Sequence, residues 1–275
     1  MSLLELFKDA FKYPTQNFKI VIILGIIATL SELSGYVLIL TTNIKVIFPL
    51  GVLGLIIGML GLGYLFSVTR TSLERNHFIP GFVNWKNMLS DGFRGFIVIL
   101  VYLVPIIILI LYFLNFYPAA FTTSFEGLTL LSGFGLILGR FFLLGIPDLL
   151  GLSYNITFVS GIGFFGIGYI ILILPLIFVS LVHMVKNSSI KKAFNFKEIF
   201  RIIQKIGLKF IIWYMLTSFI YLAILGLQFI VNLFISINLI IILSFLVDFI
   251  MIPYIYICIA RSIALLYAAS ETSKN

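Results

Sequence analysis

Residues 94–116 read RGFIVILVYLVPIIILILYFLNF, and after Arg94 the segment carries no charge. About 20 apolar residues are what an α-helix needs to cross the hydrocarbon of a bilayer. Only helices and closed barrels satisfy their own backbone groups there. The run lacks the polar–apolar alternation of a barrel strand, so it predicts a helix. Comparable runs predict spans at 19–40, 46–69, 158–184, 208–235 and 239–268. The expected fold is therefore all-α, a polytopic transmembrane bundle of six spans in one integral domain, 1–275. Composition agrees, because 61% hydrophobic residues, 10% charged residues and a mean hydropathy of +1.20 could not coat a water-soluble globule.

Orientation follows from the bases. Lys8, Lys12 and Lys19 precede the first span, and Arg70, Arg75, Lys86 and Arg94 join spans two and three. Lys186, Lys191, Lys192, Lys197, Arg201, Lys205 and Lys209 join spans four and five, and Arg261 and Lys274 lie at the end. Sixteen of the eighteen Lys and Arg residues thus share one side, leaving Lys45 and Arg140 for the other. The inside bias of positive charge puts both termini in the cytoplasm and the protein in the cell membrane. The net charge of +8 has the same origin. Bases that hug span ends do not form a soluble face for nucleic acid, and none is expected as a partner. The first nineteen residues hold no apolar core before a small-residue cleavage site, so the first span is expected to serve as an uncleaved anchor.

The segment 117–157 is the topological ambiguity. Leu128 to Gly145 is apolar enough to insert, but a seventh crossing would send the seven-base segment outside. Arg140 near the bilayer centre would cost about 2.5–3.5 kcal/mol, and Gly133, Gly135, Gly139 and Gly145 weaken a lipid-exposed helix. A re-entrant or interfacial element is expected, with Asp148 or Glu126 as the partner of Arg140.

An internal repeat is the second signal. Spans two, four and six end in Arg70, His183 and Arg261, each with a small residue three positions earlier: Ser67, Ser180, Cys258. Pro175 and Pro253 lie eight before the last two, where the first copy has Leu62 between glycines. Asn84-Trp85-Lys86-Asn87-Met88-Leu89 parallels Asn195-Phe196-Lys197-Glu198-Ile199-Phe200, and Ser2–Glu5 and Asn195–Glu198 share capping-box spacing. Three units result, at about 1–75, 76–187 and 188–270, each a short cytoplasmic amphipathic helix followed by a transmembrane hairpin. In the third, Phe196, Ile199, Phe200, Ile203 and Ile206 share one helical face opposite Lys197, Glu198, Arg201, Gln204 and Lys205. Such a helix lies in the interface plane, where its bases either meet anionic headgroups or simply follow the inside charge bias.

Phe11-Lys12-Tyr13-Pro14, Leu62-Gly63-Tyr64-Leu65 running to Arg70, and Ile79-Pro80-Gly81-Phe82-Val83-Asn84-Trp85 form a further pattern, with Asp91-Gly92, Ala193-Phe194-Asn195-Phe196 and Ile259-Ala260-Arg261. It resembles an uncharacterised multi-pass membrane family, common in archaea and methanogens in particular, known only as a domain of unknown function. The resemblance covers almost the whole chain and is weakest over 117–157. It implies fold and location but no substrate or catalytic residue. Its hairpin-repeat plan is similar to membrane domains attached to some bacterial glycerophosphodiester phosphodiesterases, which leans toward lipid-linked roles, although fold likeness does not transmit function.

Recognisable chemistry is sparse. Gly161-Ile162-Gly163-Phe164-Phe165-Gly166 spells a dinucleotide fingerprint but enters an apolar span instead of joining strand to helix, so close helix packing explains it better. His77, His183 and Cys258 have no metal-ligand spacing, and neither metal nor cofactor is expected. Glu32, in the outer half of span one, and Asp248, about 15 Å into span six, are candidates for intramembrane binding or ion coupling. Against that, Glu32 could reach the outer interface beside Ser31 and Ser34, and Asp248 could bond Ser244. Arg70, His183 and Arg261 share one repeat position, either lining an inner vestibule or reaching headgroups while capping helix ends. Asn155-Ile156-Thr157 is a glycosylation sequon on the outer side.

Three roles follow for the whole chain. One is binding or transport of a lipid or small solute; another is a non-catalytic scaffold or subunit of a membrane complex, with membrane lipids, a partner subunit or a second copy as neighbours. The third, an intramembrane enzyme, would need convergent polar residues that the sequence does not display.

Overall fold

The computed structural model describes residues 2–31, 43–116, 164–234 and 247–272. Among them, regular structure is entirely helical. Glu32, Arg140, Asp148, Glu126, Asn155 and the first glycines of the 161–166 run lie outside the described residues, as does the whole of the 117–157 element.

Helix α1, Leu3–Lys12, starts on a complete capping box between Ser2 and Glu5 and buries Leu6 and Ala10. Pro14 opens a 3-10 turn that leads into α2, Phe18–Ser31. Helix α3 is Ile44–Leu73, capped by the Asn43 side chain, and α4 is Trp85–Phe116. After α5, Phe164–Asn187, a 3-10 turn over Ile190–Phe194 precedes α6, Phe196–Ile206, whose cap is Asn195. Helix α7, Leu208–Phe234, and a π turn, Val247–Met251, lead to α8, Ile252–Thr272. The π turn ends just before Pro253, which cannot donate a backbone hydrogen bond to the turn behind it.

Among the described residues, four stretches are long and apolar enough to cross a membrane: Leu3–Ser31, Phe48–Leu73, Trp85–Pro105 and Phe249–Glu271. Leu172–Asn187 and Leu208–Ile220 are shorter apolar helical stretches within α5 and α7. The four match expected spans one, two, three and six, although the first begins earlier than 19 because α1 and α2 are joined through the 3-10 turn.

Whether a short leading helix is separate or fused depends on one residue. Twelve positions beyond Ser2, Asn84 and Asn195 stand Pro14, Phe96 and Gly207. Pro14 breaks the helix by removing a donor. Gly207 breaks it by adopting φ +61°, open to a residue without a Cβ. Phe96 fits an α-helix, so α4 runs on without a break. The separate leading helix expected in the middle unit is therefore the first part of α4.

Helices α3 and α5 end alike. Arg75 and Ser188, each five residues past Arg70 and His183, have φ of 57° and 50°. In both, the next amide donates back to the carbonyl five residues earlier: Asn76 to Thr71 at 2.9 Å and Ser189 to Met184 at 3.3 Å. This is Schellman closure without the usual glycine. At the matching place past Arg261, α8 continues as helix.

Helix α8 lies at the centre, packed against α1, α2, α3, α5 and α6. Trp213 of α7 is fully buried, stacks on Phe210, meets Phe178 of α5 edge-on and donates to Ser262 Oγ of α8 at 2.9 Å. Tyr102 of α4 bonds Ser180 of α5 at 2.7 Å and donates to the Ala193 carbonyl at 2.8 Å. Tyr102 and Trp213 both lie eighteen residues past the asparagines Asn84 and Asn195. The closest helix contact is α3 on α4: a Cβ on Gly63 would sit 1.7 Å from the Met88 carbonyl oxygen, and one on Gly92 1.8 Å from that of Met59. Small residues that let backbones touch are how apolar helices associate where no hydrophobic effect drives them together.

Candidate functional site at the basic end of the bundle

The last turns of α3 and α5 and the middle of α8 bring Arg70, His183 and Arg261 to the level of α1, the start of α4 and α6. Each base meets an acid on the next of these helices. Arg70 Nη2 lies 3.0 Å from Asp91 Oδ2 of α4, with Arg94 on the other carboxylate oxygen at 3.4 Å. His183 Nε2 lies 3.3 Å from Glu198 Oε2 of α6. Arg261 Nε donates to Asp9 Oδ2 of α1 at 2.9 Å. Asp9 and Asp91 stand seven residues past Ser2 and Asn84, and Glu198 three past Asn195, one helical turn earlier on the same face.

The three pairs differ in environment. Arg70 is nearly half exposed, and such a pair contributes about 0–1 kcal/mol. Arg261 is 1% exposed. Besides Asp9, it donates through Nη1 to the Asn76 carbonyl at 2.6 Å and to Ser72 Oγ at 3.3 Å, and its guanidinium lies 4.4 Å from the centre of the Tyr13 ring. Those partners are what permit a buried guanidinium. The Tyr13 hydroxyl donates to the Phe78 carbonyl at 2.8 Å, and Tyr254 donates to the Phe11 carbonyl, so α1, the loop after α3 and α8 form one knot. The side chain of Arg261 thus points into protein.

His183 is equally buried, its Nδ1 hydrogen-bonded to the Tyr267 hydroxyl at 2.6 Å. Its Nε2 faces Glu198 without hydrogen-bond geometry to any described residue. Glu198 also accepts from Asn195 Nδ2 at 2.9 Å and Lys192 Nζ at 3.3 Å. Partial burial pushes its carboxyl up, but the hydrogen bond and charge of Lys192, with His183, outweigh that and hold it below the ordinary value of 4.5.

Glu198 and Tyr267 continue into a cleft of about 320 Å³ between α6 and the end of α8, lined also by Arg201, Ile202, Lys205, Ser270 and Glu271. Glu271 is ion-paired with Lys186. Ile199, Ile202 and Ile206 seat α6 on the bundle, while Phe196 and Phe200 are each 49% exposed on its outer side.

Asp248 lies on the π turn, whose next residue, Phe249, presents its carbonyl oxygen 2.1 Å from where a Cβ on Gly25 of α2 would be. Glu32 and Asn155 fall outside the described residues. Among the described residues, no three His, Cys, Asp or Glu side chains converge in a metal-binding group. The acid partners Asp9, Asp91 and Glu198 and the cleft bases Arg201 and Lys205 are not singled out as a site by the sequence reading. The signal for the acids is their helical spacing from Ser2, Asn84 and Asn195, seven residues for Asp9 and Asp91 and three for Glu198.

A family model described as "Protein of unknown function (DUF4013)" matches residues 46–236, more than half of the chain. No curated protein and no solved structure matches.

Proposed function

Since the chain belongs to this family of proteins of unknown function, DUF4013, we propose its role from the geometry: a six-span integral membrane protein that holds a lipid or small solute at its basic end. The observation that carries the reading is the cleft between α6 and α8, at the level where the bases gather. Helices α5 and α7, of 24 and 27 residues, would be about 36 and 40 Å long, enough for spans four and five across roughly 30 Å of hydrocarbon. Exposed Leu208, Ile211, Met215 and Phe219 form a stripe on α7 suited to acyl chains.

The base–acid pairs support three units arranged cyclically. The second span of each unit clasps the leading helix of the next, and the pair Arg261–Asp9 returns from the third unit to the first. The gathering of bases at this end supports a cytoplasmic side for it. Glu32 and Asp248 belong to this proposal as a second, intramembrane contact for solute or ion, supported by the packing of the π turn against α2.

Native mass spectrometry of protein purified gently from its own membrane tests the reading. A discrete retained species is expected; its loss in Glu32→Gln/Asp248→Asn would place it at the intramembrane acids, and its survival there would favour the basic cleft. Parent protein that retains nothing would shift the reading to a membrane scaffold or partner subunit.

A further inference from the structure

We infer that the cleft between α6 and the end of α8 is a binding site for a phosphate-bearing anion, either the headgroup of a phospholipid or a small soluble phosphate ester. The inference rests on the proposed binding role and adds the chemistry of the ligand. Two acids and two bases line the cleft, but they are not equivalent. Glu198 is held by Lys192 and Asn195, and Glu271 by Lys186, so each carboxylate is neutralised by a cation from outside the lining. Arg201 and Lys205 make no ion pair and no side-chain hydrogen bond among the described residues. Two positive charges therefore remain available in the cleft.

Those two bases are four residues apart on α6, so they share a face and repel across one turn. An anionic phosphate seated between them offsets that repulsion, and the planar guanidinium of Arg201 matches a phosphate through paired N–H donors. The His183–Tyr267 pair adjoins the lining, with the otherwise unbonded Nε2 of His183 buried behind Glu198. A volume near 320 Å³ sits at the small end of the roughly 300–1,000 Å³ usual for ligand pockets and suits a headgroup without its acyl chains. Phe196 and Phe200, each half-exposed on the opposite face of the same helix, add apolar surface on which the chains of a lipid can rest.

The test uses full-length protein in neutral detergent, titrated with phosphatidylglycerol, with phosphatidylcholine for comparison, and separately with soluble glycerol 3-phosphate, read by native mass spectrometry. Arg201→Gln/Lys205→Gln is compared with Lys191→Gln/Lys197→Gln, which removes the same charge from the same stretch but outside the cleft. The expected result is a loss of anion binding of about tenfold or more in the first pair and little change in the second. Binding of phosphatidylglycerol that glycerol 3-phosphate does not displace assigns the site to a lipid; tight binding of glycerol 3-phosphate alone assigns it to a soluble ester. Equal losses in both pairs, or no phosphate adduct on the parent, overturn the inference. In the latter case, a different retained species would leave the broader binding role standing, whereas a parent that retains nothing removes both.

Discussion

Arg261 has the most at stake of any single residue. A guanidinium at 1% exposure survives because Asp9, Ser72, the Asn76 carbonyl and the Tyr13 ring surround it. Removing one partner of such a pair leaves a buried charge uncompensated, at about 3–5 kcal/mol. Asp9→Ala should therefore lower stability by about that amount in a chemical unfolding titration, while Asp91→Ala, opposite the exposed Arg70, should cost no more than about 1 kcal/mol. Equal costs would mean that the burial of Arg261 does not govern its energetics. Glu198 carries a pH signature. Its carboxyl titrates below its ordinary value, so its contribution is full above that value and fades as pH falls through the lower folded one. Unfolding midpoints followed from about pH 6 to about pH 3 should fall less steeply in Glu198→Gln than in the parent. The sequence pointed to Arg261 but not to its partner: 252 residues separate Arg261 from Asp9, and spacing along the chain does not say which helices touch.

At the scale of elements, apolar run length and capping spacing identify helices well, because both are local properties. Ser2–Glu5 caps α1 and Asn195 caps α6, as their spacing implies. What local pattern misses is a break or closure that depends on one backbone angle. Arg75 and Ser188 close α3 and α5 in the left-handed region without being glycine, and Phe96 keeps α4 whole where Pro14 and Gly207 divide their counterparts. Gly207→Val should be destabilising by about 1–2 kcal/mol, since a β-branched residue at φ +61° is strained, and it should shift α6 relative to α7. The α3–α4 contact is less forgiving. Gly63→Val places its Cβ inside the van der Waals radius of a backbone oxygen, so the helices must separate, and a loss of about 3 kcal/mol or more is expected in the same titration. Unaltered stability would show that α3 and α4 do not meet at Gly63.

For the whole molecule, the six-span, three-unit proposal makes a topological prediction. In a Cys258→Ser background, a cysteine at Lys45 should react with a membrane-impermeant maleimide on intact cells, and one at Lys191 only after permeabilisation. Labelling of Lys191 in intact cells would mean that the charge asymmetry has been read the wrong way round. The basic collar was visible in the sequence as charge placement. The cleft within it was not, because it depends on which bases are already paired, and among the described residues Lys192 and Lys186 are ion-paired whereas Arg201 and Lys205 are not.

The knot that joins α1 to α8 also orders the birth of the protein. Arg261 is made 252 residues after Asp9, so α1 lacks its α8 partner until every helix between them has been made. Until then its apolar face, Leu6 and Ala10, must wait on the membrane surface or in the hands of a chaperone. A nascent chain arrested before residue 261 would be inserted yet unlatched, its α1 segment open to proteases, and completion of α8 would be the event that hides it.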